Sequence, residues 1–357
     1  MYSDDDLQSA VASGALSAEA AHALRAHVSA RREMPDADEE HFRLLTGFND
    51  IFVTIAAVMI LVAMAGIGQV FTPGLDGPPP FSGVLIAGAA WTMAEFFTRK
   101  RRMALPSIVL LLAFVGGIFE ALVGFLAMAF QDQGDNDRLI AALFAGTGLV
   151  TAAAAWLHWR RFKVPITVAA GAAAVAATAI ALILAAIGPE SFTPERTLMP
   201  LVFVAGLAVF AFAMRWDMSD RSRQTRRSDV AFWLHLLAAP MIAHPLFHWL
   251  GVTQGDNIGV TAVIGVLVVY VTLGLVALAV DRRALLVSAL AYVLAALTWL
   301  FDRFGAVELN VALTALIIGS ALLTLSAFWT PIRRSVIDLL PGTLKDRLPL
   351  TGRLAAA

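Results

Sequence analysis

IFVTIAAVMILVAMAGIGQV (51–70) runs for twenty residues without a charge. A helix rises about 1.5 Å per residue, and the hydrocarbon core of a membrane is about 30 Å thick. Such a run is therefore long enough to cross. Lipid offers no partners to backbone N–H and C=O groups, so a crossing run must be helical. The same pattern recurs along the chain. Counting this first run as 50–70, ten qualify, the others being 81–98, 105–130, 139–157, 165–187, 198–214, 230–250, 258–280, 284–301 and 306–329. The expected fold is all-α, a polytopic membrane protein with about ten transmembrane helices over 48–330. A short cytoplasmic helical hairpin and linker (1–47) precede them, and a cytoplasmic amphipathic tail (331–357) follows.

Composition agrees. Hydrophobic residues make up 59% of the chain and charged residues 15%, against roughly 45–50% and 25% in soluble domains. The formal net charge is -1, which gives no global field for nucleic acid, so the expected partner is the lipid bilayer. The chain has no Cys, which excludes disulfides, thiolate metal sites and cysteine nucleophiles. Abundant Ala and Arg far in excess of Lys suggest a GC-rich bacterial genome. The first 47 residues are polar, so no cleavable signal peptide is expected.

Charge then orients the spans. Of the 26 Lys and Arg residues, 23 fall in the N-terminal region, in the tail, and after the second, fourth, sixth and eighth runs. Only Arg138, Arg196 and Arg303 lie in the opposite loops. The positive-inside rule places both termini in the cytoplasm of a bacterial inner membrane. Seven of eight tryptophans sit near run ends, where indole rings favour the interface, and only Trp91 lies deeper.

At the N-terminus, Ser3 and Ser17 suit helix caps, with Asp4, Asp5 and Asp6 at a positive helix end and Gly14 as a stop. The module is too small for a large core; it is expected to serve structure, with a protein partner at the hairpin as the functional alternative. The stretch DLQSAVASGALSAEAAHALRAHV (6–28) resembles the N-terminal module of uncharacterised bacterial polytopic inner-membrane proteins. The tail RRSVIDLLPGTLKDRLPL (333–350) is similar to tails in that class. The resemblance implies architecture and no activity. By its own residues, the tail reads as a cationic amphipathic segment lying on the inner leaflet.

Within the spans, small-residue stretches at 145–155 and 169–181 predict central, close-packed helices. Ionisable groups are rarer and more informative, because a charge at the bilayer centre is costly. Glu120, in GGIFEALVG (116–124), lies about 22 Å into the third run. It reads equally as a protonatable carboxylate and as polar glue between helices. Glu95 pairs naturally with Arg99 at i+4, an interfacial ion pair. Asp50 suits the start of the first span. Glu308 belongs to a charged turn before the tenth.

FWLHLLAAPMIAHPLFHW (232–249) holds His235, Pro240, His244, Pro245 and His248. His244 and His248 share a helix face, and His235 lies about 180° around. Each proline removes a backbone donor, so a kink near Pro240 is expected. A zinc site needs a further ligand and a signature that is absent, so neither a metal nor a cofactor is predicted. The principal candidate site is Glu120, His244 and Pro240, with His235, His248, Asp50 and Glu308 secondary. No phosphate loop, nucleophile elbow or zinc-protease motif assigns a catalytic residue. The expected function is a transporter-like bundle for a small solute or ion. The alternatives are a scaffold or sensor acting through the N-terminal module, and a membrane-embedded lipid-modifying enzyme.

Overall fold

The structure, a computed structural model, describes residues 4–31, 48–130, 137–188, 194–221, 223, 225–252, 259–303, 310–345 and 348–349. Every regular element among them is helical. Two units are distinguished, Met1–Phe42 and Arg43–Ala357.

The first unit holds α1 (Asp4–Ala12) and α2 (Ala18–Arg31). Gly14 takes a φ of 75° in the turn between them, a conformation that favours glycine. Ser17 caps α2, its Oγ accepting from the Ala20 N–H at 3.1 Å. Ser3 lies outside the described residues.

The second unit begins with α3 (Phe48–Gln69), α4 (Pro80–Ala94), α5 (Ala104–Phe130), α6 (Asp137–Phe162) and α7 (Ile166–Ile187). It continues with α8 (Met199–Met218), α9 (Arg226–Trp249), α10 (Val260–Val280), α11 (Ala284–Arg303) and α12 (Asn310–Ala327). Two short helices close it, α13 (Trp329–Asp338) and α14 (Gly342–Lys345). Among the described residues eight helices, α3 to α10, are long and apolar enough to cross a membrane, α4 counted with the π-helical segment Glu95–Lys100 that continues it, and α12 with α13 forms a ninth if that bent pair is one span. The ninth expected run corresponds to α11, whose apolar stretch is Leu285–Trp299. The tenth expected run ends within two residues of α12, where the chain turns by 75° into α13.

Two packed clusters form. One joins α3, α4, α5 and α6 around Ala57, Leu61, Ala87, Ala90, Leu110 and Phe114. The other surrounds α9, drawing on α8, α10, α11 and α13. Small residues bring α4 and α5 together: a Cβ on Gly117 would fall 2.7 Å from Gly83 O and 2.9 Å from Ala87 N. Backbones can approach this closely only without side chains between them.

The expectation that the fourth and fifth runs are both central is corrected for the fifth. α6 and α7 pack along each other, yet α7 buries only Ile166, Thr167 and Ala169. Alanine lets two backbones approach but fills little volume, so α7 meets α9 mainly through its first turns and leaves most of its length partly exposed. Of these eight spans α9 is the most enclosed.

Three of the helix ends at basic loops share one device. The left-handed residues Arg102, Lys163 and Asp281 have φ of 53°, 56° and 59°. They end the helical segments of α4, α6 and α10. At α10 the Arg282 N–H reaches Ala277 O at 2.9 Å and the Asp281 N–H reaches Leu278 O at 3.3 Å. This is a Schellman cap with Asp where glycine is usual. It sets Asp281 and Arg282, consecutive residues, at the centre of the polar structure described next.

Candidate functional site

Asp217 lies in the last turn of α8, where a carboxylate meets the negative end of the helix dipole. It is held there by partners. Arg282 Nη2 donates to Oδ1 at 2.5 Å and His235 Nε2 contacts Oδ2 at 2.8 Å. Arg282 also donates to Ser228 O at 3.1 Å and Ser228 Oγ at 3.3 Å, in the first turn of α9. Phe210 closes one side with its ring centroid 5.1 Å from that of His235. Asp217, His235 and Arg282 are all buried.

Proton placement follows from donor chemistry. A carboxylate only accepts, so His235 Nε2 carries the hydrogen. In the neutral imidazole Nδ1 is then a bare acceptor. It is buried with no hydrogen-bond partner among the described residues. Arg282 balances Asp217, so the neutral ring leaves the cluster without net charge.

The turn that feeds α9 is ordered by Asp220. Its Oδ2 accepts from the Thr225 N–H at 2.9 Å and from Thr225 Oγ1 at 2.7 Å. Thr225 Oγ1 in turn accepts from the Arg227 N–H at 3.2 Å, capping the helix.

A second layer lies beside the first. Asp281 Oδ2 accepts from Arg223 Nη1 at 2.7 Å, and Oδ1 accepts from Trp329 Nε1 at 2.7 Å. Arg333, also buried, donates to Leu278 O at 3.1 Å and Pro349 O at 2.8 Å. Arg221 donates to Leu348 O at 2.9 Å. These bonds tie the C-terminal segment to the α8–α9 turn and to the end of α10. Arg333, expected on the charged face of a surface segment, is an internal anchor, because α13 packs against α10.

The principal candidates fall apart. Glu120 is half-buried on α5, which packs chiefly on α3, α4 and α6. His244 lies on α9, which packs on α7, α8 and α11. His244 Nδ1 meets the Tyr292 hydroxyl of α11 at 2.6 Å. Phe247 stacks on the same Tyr292 ring at 4.4 Å, and the His248 ring lies 6.3 Å from that of His244. Pro240 is exposed on the outside of the bundle, and α9 runs as one helix through both prolines. Asp50 is buried at the start of α3, where its carbonyl accepts from Thr54 Oγ1 at 2.6 Å. Glu308 lies outside the described residues. Among the described residues, no group of three His, Asp or Glu side chains is placed to hold a metal.

Of the sequence candidates, only His235 belongs to the buried charged cluster. Sequence reading did not single out Asp217, Ser228 or Arg282. It also did not single out His158, which is buried against Trp91, Phe114 and Phe162 with Nδ1 3.3 Å from Thr167 Oγ1. In comparisons with protein families, curated proteins and solved structures, the chain matches none.

Proposed function

We propose that this chain is a multi-pass protein of a bacterial inner membrane that moves a small solute or ion, with His235 carrying the coupling proton. In this reading α11 and the bent α12–α13 pair complete ten crossings, the basic loops face the cytoplasm, and the N-terminal hairpin is a cytoplasmic module. The supporting observation is the bare, buried Nδ1 of His235 beside a charge-balanced Asp217–Arg282 pair. A buried polar atom without a partner calls for an explanation, and a transient proton is one. Protonation at Nδ1 leaves the bond to Asp217 in place and adds one positive charge. That charge is costly in lipid unless a solute or ion offsets it, which is the physical basis of coupling.

The test uses proteoliposomes loaded with a pH-sensitive dye. They are challenged in turn with sodium, potassium, chloride and labelled amino acids and sugars. The wild type is expected to link lumenal pH change to uptake of at least one of these. His235→Gln keeps an N–H donor for Asp217 but cannot carry the proton, so it is expected to fold and to lose coupling. Undiminished pH-linked uptake in that variant overturns the role of His235. Absence of any uptake by the wild type overturns transport.

A further inference from the structure

The helix ends at the other basic loops carry clusters of exposed cations. At the α4–α5 and α6–α7 turns the chain places Arg99, Lys100, Arg101, Arg102, Arg160, Arg161 and Lys163, all exposed. The acidic residue between them is Glu95, and it is already engaged. Arg161 holds it through two bonds, at 2.7 and 2.9 Å, and Arg99 through a third at 3.2 Å. That bridge also fastens the end of α4 to the end of α6, so the two turns share one rim.

Three of the remaining cations, Arg160, Lys163 and Arg101, are positioned by aromatic rings. Arg160 Cζ sits 5.0 Å from the centre of the Trp156 ring, and Trp156 is 57% exposed on the outer face of α6. Lys163 Nζ lies 5.3 Å from the Trp159 ring, and Arg101 Cζ 5.5 Å from the Phe96 ring. A cation over an indole or phenyl ring is held at interfacial depth, where lipid phosphates lie.

Backbone conformation adds an independent observation. Two helices whose ends lie away from these loops finish on glycine, Gly188 after α7 with φ of 87° and Gly251 after α9 with φ of 80°. At this rim the same left-handed positions carry Arg102 and Lys163. Glycine is the less strained choice there. Two other charged residues with left-handed backbone, Arg223 and Asp281, bond to each other within the protein. Arg102 and Lys163 have no acidic partner among the described residues.

We infer that the α4–α6 rim, centred on Arg102, Arg160 and Lys163, is a binding site for the headgroup of an anionic phospholipid. The phosphate supplies the missing acidic partner, and the acyl chains lie along the exposed Phe96 and Trp156. The inference is independent of what the bundle transports and of which way it faces.

The test is native mass spectrometry of the full chain released from nanodiscs of equal phosphatidylglycerol and phosphatidylcholine. The wild type is expected to retain phosphatidylglycerol preferentially. Arg102→Gly with Lys163→Gly removes two cations while relieving the backbone, so folding is expected to hold, which a melting curve in phosphatidylcholine nanodiscs checks. Retention is expected to drop at least about fivefold, the effect of a single interfacial charge. Arg160→Gln, which leaves every turn conformation untouched, is expected to lower it as well. Equal retention of the two lipids by the wild type overturns the site, as does unchanged retention in both variants. Complete displacement of the lipid by millimolar inorganic phosphate overturns the lipid reading in favour of a free-anion site.

Discussion

Arg282 Nη2 and Asp217 Oδ1 lie 2.5 Å apart, with 2% and 0% of their side chains exposed. Removing one partner of such a pair leaves an uncompensated buried charge, at a cost of about 3–5 kcal/mol. Arg282→Gln and Asp217→Leu are each expected to lower the melting temperature sharply in detergent. Combining Asp217→Leu with Arg282→Met should recover much of the loss, because a buried pair replaced by apolar groups is often neutral. If the double variant melts as low as the worse single one, the ion pair is not the source of the instability.

Why this pair was illegible in the sequence is physical. Hydropathy marks spans because lipid forbids unpaired backbone, so α3 to α10 are readable from composition alone. Asp217 stands one residue from the end of α8, where charged residues ordinarily meet water. Arg282 looks like one more basic loop residue. It turns inward only because Asp281 adopts a left-handed cap, and it is buried only because α8, α9 and α10 converge there. His235 was visible as an intramembrane polar group, but its partner lies 18 residues earlier in the chain on another helix. In the sequence Glu120, His244 and Pro240 stand out by depth along their helices. Depth says nothing of azimuth, and Pro240 proves to face outward.

The α4–α5 contact depends on absent side chains. Gly117→Ala places a Cβ 2.7 Å from Gly83 O, so the helices must separate. Separation forfeits close packing along the whole contact, and a loss of about 1–3 kcal/mol is expected. Gly116, one residue earlier, has open space where a methyl group would stand, with nothing within 4 Å. Gly116→Ala should be neutral or slightly stabilising, as alanine exceeds glycine in helix propensity. Equal melting temperatures for the two variants would mean that close contact at Gly117 does not hold α4 and α5 together.

Tyr292 gives α9 and α11 their polar contact. Tyr292→Phe keeps the ring that stacks on Phe247 and removes the hydroxyl that meets His244 at 2.6 Å. The expected loss is about 0.5–1.5 kcal/mol, the net worth of one hydrogen bond. Tyr292→Ala should lose far more, since the stacked ring goes too. A chemical-denaturation series in mixed micelles checks the ranking. Near-equal losses would place the hydroxyl, not the ring, at the centre of this contact.

Asp281 fixes the C-terminal segment through Trp329 and the α8–α9 turn through Arg223. Asp281→Gly relieves the left-handed backbone at a φ of 59° but deletes both bonds and the 3.5 Å ion pair with Arg333. The bonds should dominate, because a hydrogen bond to a charged group is worth about 1.5–3 kcal/mol and the strain about 1–2 kcal/mol. The variant is therefore expected to free the segment after α12 and to speed tryptic cleavage at the exposed Arg334. Trp329→Phe deletes one bond and leaves the backbone as it is, so it should accelerate cleavage less. Cleavage slower than wild type in Asp281→Gly would mean that strain, not bonding, governs this end of the bundle.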